Sequence, residues 1–593
     1  MYNKQRFLIT TPDERILHSD APLLLLGQWC ITSEFNRLIE GRDVELVAEY
    51  GFESEMMHKD YCYVQVLRQE LLIELKDSLN RHHGTTHSLR YWRILLGPWL
   101  YSFVSIIFDR WQSIRRAVQN YQISGTILLE YPSSYLTPTT FDDFNELWQG
   151  DIWNHYVLGK ILNELTDIPC ERIAVSVSNE NRFCKTENVL ISRKKQLKHK
   201  LLSALESVLF GIPCLPTDAL FVNTYLSKKD EYLLQLQFGQ VPRIWKSPST
   251  PHTMRNNEER SRFNLDTHNY QGFDRFIRAI ISEQIPTLYL EGYQSLRKKV
   301  DELTWPDRPK VIFTANSFYA DEVFKAWTAA KTEQGVPYVI AQHGGYYGTS
   351  KYPHHTELNE TITADRYLTW GWTDNNKKCY PCVAMTSVGK SSGASSPSGG
   401  LLLVATYGPR YHREPWERYY QNDLMYIKDL FQFVSLLPQY IFNQIIVRPA
   451  PNAVSNGKSH NTLWKERFPT ITVDSACEKI EPLIQKSRLF LYTYNSTGFL
   501  QTLARNIPTI IFWDKKYNEL RPSAEPYYDQ LKSVGIFHET PESASAQVAE
   551  VWNDVAGWWN QPLVQNARVV FCEQYARMPR NPIRTIRNAL STV

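Results

Sequence analysis

The chain of 593 residues contains no Asp-x-Asp pair. The carboxylate clamp that usually holds a metal against a diphosphate is therefore missing, and no metal or other cofactor is expected. No G-x-x-x-x-G-K loop is present, which argues against an NTPase. Charge of one sign is also lacking, with 65 basic and 62 acidic residues and a net charge of +3. No global field exists to gather nucleic acid, so any anion site must be local. Cysteines are few, scattered and odd in number at nine. That argues against a disulfide framework and for a reducing compartment. Cys379 and Cys382 form a C-x-x-C pair, but no second pair follows at zinc spacing, so the stretch reads as a loop. The opening MYNKQRFLITTPDER lacks the apolar core of a signal peptide. The best membrane candidate, LLGPWLYSFVSIIF at 95–108, is too short to span and carries Gly97 and Pro98 near its start. A buried or surface-dipping helix is the expectation, in a cytoplasmic protein with peripheral contact to the inner membrane left open.

What is present is the composition of a globular protein, 43% hydrophobic and 21% charged. The length calls for two or more domains. Seventeen tryptophans and 34 tyrosines suit core filling, and they also suit sugar faces. GKSSGASSPSGG at 389–400 is too small and polar to pack and reads as a linker. It separates an N-terminal part, 1–388, from a C-terminal part, 401–593, whose last helix could pack back on the first. Beyond it LLLVA, QIIVRP (444–449), RLFLYTY (488–494) and PTIIFW (508–513) read as strands spaced by helices, the grammar of a parallel sheet. Upstream, RFLITT opens as a strand, and PKVIFTANSFYADEVFKAWTAAKTEQGVPYVIAQHGG reads strand, helix, strand. Residues from about 55 to 300 read as a large helical insertion. Within them SRKKQLKHK, 192–200, is basic, as a solvated helix face or an anionic-membrane contact would be. The expected fold is α/β, with two Rossmann-like parallel-sheet domains facing across a cleft. GT-B glycosyltransferases and nucleotide-sugar epimerases share that architecture.

Ligands in such sheets sit at the carboxyl ends of strands. TYNSTG, 493–498, ends a strand and starts a helix there. Asn495, Ser496, Thr497 and Gly498 could cap the helix or cradle a phosphate on its N–H groups. Arg448, at the end of what reads as the neighbouring strand, is expected to reach the same phosphate with its guanidinium fork. Arg410, His412 and Arg413 follow the first strand of that domain, and one of them could touch donor or acceptor. In the N-terminal part, YVIAQHGG ends a buried strand on an imidazole. Gln342, His343 and Gly344 thus form a second polar strand exit, with His343 as base or as hydrogen-bond donor to a phosphate, and Gln342 and Gly344 as groups that bind the sugar donor. Glu14, just after the first strand, is a further candidate base; Asp13 and Asp151 read equally well as turn or cap residues.

FLITT, LLLLGQWC (23–30), HSLRYWRILLGPWL (87–100), QHGGYYGT (342–349) and NSTGFLQTLARNIPTIIFWD (495–514) together resemble one family. It is the bacterial family of transferases linked to O-antigen and surface-polysaccharide synthesis, first described from leptospiral O-antigen loci. The resemblance spans nearly the whole chain. It implies a metal-independent GT-B-like sugar transferase that uses a nucleotide sugar and a glycan or lipid-linked glycan acceptor. A CMP-activated nonulosonic acid of the pseudaminic or legionaminic type is the donor such loci suggest. The QHG stretch also resembles the His-Gly turn of CDP-glycerol glycerophosphotransferases, which would make His343 the base. Here that turn continues Gly345-Tyr346 without the proline-containing segment, and VRPAP (447–451) lacks their second histidine. A CDP-polyol phosphotransferase, a nucleotide-sugar epimerase and a non-catalytic glycan-binding subunit are the alternatives.

Overall fold

The computed structural model describes residues 4–18, 20–48, 54–176, 214–375, 377–390, 396–416, 423–451, 454–455, 458–477 and 479–593. The basic run at 192–200 and the middle of the 389–400 linker lie outside the described residues.

The fold is α/β, with parallel pairing throughout the described strands of its three main sheets. Sheet I holds β1 (Arg6–Ile9), β2 (Leu23–Leu25), β3 (Val44–Leu46), β4 (Ile123–Glu130) and β5 (Cys170–Ala174), ordered 3-2-1-4-5. Sheet II holds β6 (Leu220–Val222), β7 (Ile312–Thr314), β8 (Tyr338–Ala341), β9 (Arg366–Thr369) and β10 (Cys379–Pro381), side by side in chain order. Sheet III holds β11 (Gly400–Val404), β12 (Ile445–Arg448), β13 (Thr472–Val473), β14 (Ser487–Tyr492), β15 (Thr509–Phe512) and β16 (Phe537–His538). Its order is β13-β12-β11-β14-β15-β16, the doubly wound Rossmann arrangement. Strands β7 and β8 of sheet II and β11, β12, β14 and β15 of sheet III match the expected ones, whereas β6, β9, β10, β13 and β16 do not; Cys379 of the C-x-x-C pair starts strand β10, paired with β9, and is not in a loop. Sheet I goes beyond the reading of 55–300 as purely helical, because β4, β5 and β6 lie inside that stretch.

Two long helices occupy the middle: α1 (Ser54–His83) and α2 (Leu89–Asn120). Ser88 caps α2 by accepting a hydrogen bond from the Tyr91 N–H at 3.2 Å. α2 is long and apolar enough to cross a bilayer, but 94% of its apolar window is buried inside the protein. It packs on α1, on α3 (Asp151–Leu165) beside sheet I, and on α4 (Glu322–Glu333) and α5 (His355–Thr363) beside sheet II. Trp92, Leu95, Leu96, Trp99 and Leu100 are 0% exposed. Each such side chain is worth on the order of 1.5–3 kcal/mol of burial, so α2 is held as the core between two sheets.

At the far end the chain crosses back. α6 (Thr497–Ala504) follows β14, and α7 (Pro562–Tyr575) packs on it. The last helix, α8 (Pro582–Ser591), then lies on the sheet II unit. Ile586, Ala589 and Leu590 share a core with Val339 and Leu368, and the Arg366 guanidinium donates to the Ala589 carbonyl.

One buried histidine ties sheet I together. The His155 Nε2 accepts the Leu129 N–H at 2.8 Å, so the ring proton sits on Nδ1, which donates to the Thr10 hydroxyl at 2.8 Å. Burial pushes this imidazole down from 6.5 to about 4. Below pH 6.5 the unfolded chain takes up the proton more readily, so stability is lost as pH falls from 6.5 toward 4. At pH 5.5 the loss is about 1.4 kcal/mol from this group. The pH dependence of chemical unfolding, wild type minus His155→Gln, should show that slope between pH 7 and 5; equal slopes would count against it.

Candidate active-site cavity

Strands β8, β11, β14 and β15 all run out toward one place. The loops that follow them, with one loop from the sheet I unit, enclose a cavity of about 340 Å³. Trp148 and Gln149, just before α3, supply one wall. Tyr346, Ser350, Tyr352 and His354, between β8 and α5, supply the second. Tyr407, Pro409, Arg413 and Trp416 come from the loop after β11. Tyr494 and Asn495 follow β14, and Tyr517, Asn518 and Glu519 follow β15. Seven of these residues are tryptophan or tyrosine, faces that take a nucleobase or a sugar ring.

The polar groups are few and set. The Arg413 guanidinium lies 4.9 Å over the Trp148 ring. Asn495 is held by its amide donating to the Thr349 hydroxyl at 2.9 Å and by its carbonyl accepting from Tyr528 at 3.3 Å. His354 is the N-cap of α5, and its Nδ1 accepts the Thr356 N–H at 3.3 Å. The ring proton is therefore on Nε2. Burial pushes this imidazole down to about 3, so it stays a neutral hydrogen-bond donor at ordinary pH. His354, His355 and Glu414 bring ligand-type atoms within 4.8 Å of one another. Arg68 already donates to Glu414 at 3.1 Å, and Arg68 and Arg413 both press on the two histidines. Two positive charges there oppose a divalent cation.

The two sequence motifs, whose contacting residues are 152 positions apart, meet each other. The Gly345 N–H donates to the Thr497 hydroxyl at 3.1 Å. A Cβ on Gly345 would lie 2.5 Å from the Ser496 carbonyl and the Thr497 nitrogen. The glycine turn is thus packed on the N-terminus of α6. Ser496 occupies the N-cap position without a side-chain cap bond, and Thr497 is the first helical residue. Gly498 serves packing, since a Cβ there would meet the Tyr492 ring at 2.4 Å. Of residues 495–498 only Asn495 lines the cavity.

Gln342 is 1% exposed and works inside the turn. Its amide donates to the Gly344 carbonyl at 2.7 Å, and its side-chain oxygen accepts from the Trp370 N–H and the Trp372 indole at 2.9 and 2.8 Å. The His343 side chain is 20% exposed, with Nδ1 3.5 Å from the buried Glu360 carboxylate and Nε2 3.3 Å from the Tyr347 hydroxyl. The rings of Tyr225, Phe318 and Tyr347 surround it, and it does not line the cavity. A Cβ on Gly344 would make only ordinary contacts at 3.5 Å.

Arg448 is not on the strand next to β14: β11 lies between them. Its guanidinium pairs with Asp474 at 2.8 Å, away from the cavity wall. Glu14 is exposed in a short turn after β1 and does not reach the cavity either; beside it Asp13 pairs with Arg15 at 2.6 Å. Of the three cationic candidates after β11, Arg410 pairs with Asp151 and the His412 carbonyl accepts from Arg110 at 2.7 Å. Only Arg413 reaches the cavity. His354 and the aromatic walls were not foreseen; the tyrosines clustered just after strands were the available signal.

A family model described as LIC12162 family transferase matches residues 6–590. No curated protein matches the chain. Among solved structures, MurG of Acinetobacter baumannii is similar at 9% identity and TM-score 0.33, over 64% of this chain and 100% of that one. A putative UDP-N-acetylglucosamine 2-epimerase from Listeria monocytogenes is similar at 11% identity and TM-score 0.34, over 62% and 93%. The glycosyltransferase SnogD from Streptomyces nogalater is similar at 13% and TM-score 0.33, over 63% and 99%.

Proposed function

The chain belongs to the LIC12162 family of transferases, and we propose that it is a GT-B glycosyltransferase that takes a nucleotide-activated sugar into this cavity. The observation that carries the reading is the cavity itself: aromatic walls, Arg413, the His354 Nε2–H and Asn495 at the start of α6, gathered at strand ends of sheets II and III. Arg413 would meet the phosphate charge that grows as the glycosidic bond to the leaving nucleotide breaks. His354, neutral by burial, would donate a hydrogen bond there without changing charge with pH. No step calls for a metal, so turnover should survive EDTA; complete loss restored by magnesium or manganese would contradict this.

The donor we favour is a CMP-linked nonulosonic acid, moved onto a surface glycan of O-antigen or capsule type. The acceptor would be met on the cytoplasmic face of the membrane, by peripheral contact. The test is a donor panel of CMP-, UDP- and GDP-sugars with a lipid-linked glycan acceptor. The expected result is free CMP and a glycosidic product. A phosphodiester product would replace this reading with CDP-polyol transfer, and binding without turnover would replace it with a glycan-assembly role.

A further inference from the structure

Behind the cavity wall sits a fully buried ion pair. Arg68 on α1 and Glu414 on the loop after β11 are 3.1 Å apart, and both side chains are 0% exposed. The same carboxylate oxygen accepts from the Ser105 hydroxyl on α2 at 3.2 Å and lies 3.3 Å from the His355 Nδ1, at the start of α5. Its other oxygen accepts the Trp416 indole N–H at 3.2 Å. Arg68 is held in turn by the Tyr101 carbonyl at 2.8 Å and the Gln65 side chain at 3.0 Å. One carboxylate therefore joins α1, α2, α5 and the β11 loop.

The neighbours of this node in the sequence are what matters. Arg413 and Trp416 flank Glu414, and His354 precedes His355; all three line the cavity. Glu414 and His355 themselves do not. A buried ion pair is a poor source of stability, because apolar residues of similar volume commonly do as well or better. Fixing position is the other service such a pair can give, and here it is anchored to two helices of the core.

We propose that Arg68 and Glu414 are positioning residues, whose pairing sets Arg413, Trp416 and His354 in the geometry that binds the donor. The inference rests on the reading of the cavity as a nucleotide-sugar site.

The test uses the full-length double variant Arg68→Met, Glu414→Leu, which removes both charges and leaves neither unpaired. It should melt at or above the wild-type temperature while CMP affinity, by titration calorimetry, falls about tenfold or more, the loss expected of a displaced charged hydrogen bond. A second readout needs no nucleotide. Trp148 carries Arg413 4.9 Å over its ring and is not a member of the pair. In protein labelled with 5-fluorotryptophan, the Trp148 resonance, assigned by Trp148→Phe, should shift or broaden in the double variant. Unchanged CMP affinity, or an unchanged Trp148 resonance, would overturn the proposal and leave the pair a matter of stability alone. If wild type binds none of CMP, CDP, UDP and GDP, the functional reading fails, and the Trp148 resonance alone decides this one. If the double variant does not fold, Arg68→Lys, which keeps the charge and loses the planar fork, replaces it: the same loss of affinity and the same change at Trp148 support the proposal, and no change in either overturns it.

Discussion

Replacing Arg413 with alanine is expected to weaken nucleotide binding ten- to a hundredfold and to leave the fold intact. Its guanidinium is the cationic side chain that the loop after β11 brings to the cavity, steadied 4.9 Å above Trp148. A hydrogen bond between a charged donor and a phosphate oxygen is worth roughly 1.5–3 kcal/mol. The stacking on Trp148 adds on the order of 0.5–2 kcal/mol, and its loss lowers the melting temperature only slightly. Calorimetry with CMP and a thermal melt on the same preparation separate the two effects. Unchanged affinity would remove Arg413 from the site.

The second large effect is expected at Gly345. Its Cβ position is 2.5 Å from backbone atoms of Ser496 and Thr497, so an added methyl must push the turn off the start of α6. Overpacking of this kind costs about 1–3 kcal/mol. The cost to turnover should be greater. Tyr346, the next residue, lines the cavity from the turn, and Asn495 lines it from the α6 side. A displacement near 1 Å between reacting groups can lower a rate on the order of a hundredfold. Gly345→Ala is therefore expected to remain folded, melt lower and lose most activity. Gly344→Ala is the control, since its Cβ would meet the Tyr346 and Tyr347 rings only at 3.5 Å. Equal damage from both substitutions would mean that the pair serves local backbone conformation and not the seam between sheets II and III.

Much of the fold was legible because its strands are continuous apolar runs that end in glycine or polar turns. The runs at β8, β11, β14 and β15 are buried along their length apart from the first residue of β11 and the second of β14. Sheet I was harder to see. β2 and β3 have three residues each, and the apolar centre of β4 sits in a stretch whose surroundings repeat with helical period. The site was partly legible. Both polar strand exits exist and meet, but their residues spend most of their bonding on each other. Arg448 shows why. The Rossmann order puts the first strand between the second and the fourth, so β11 had to separate Arg448 from Asn495. A single sequence also gives no distances between loops. The cavity draws on five loops between Trp148 and Glu519, and His354 has no local pattern that marks it.

The most direct measurement sets the two candidate phosphate positions against each other. Thermal shift with CMP is recorded for wild type, Asn495→Leu and Arg448→Ala. At a hundred times its dissociation constant the nucleotide should stabilise wild type by about 2.7 kcal/mol. The shift should largely vanish in Asn495→Leu, which alters the cavity wall, and persist in Arg448→Ala, whose partner is Asp474. A shift that persists in Asn495→Leu and vanishes in Arg448→Ala would place the nucleotide at the end of β12 and contradict the assignment of this cavity as the donor site.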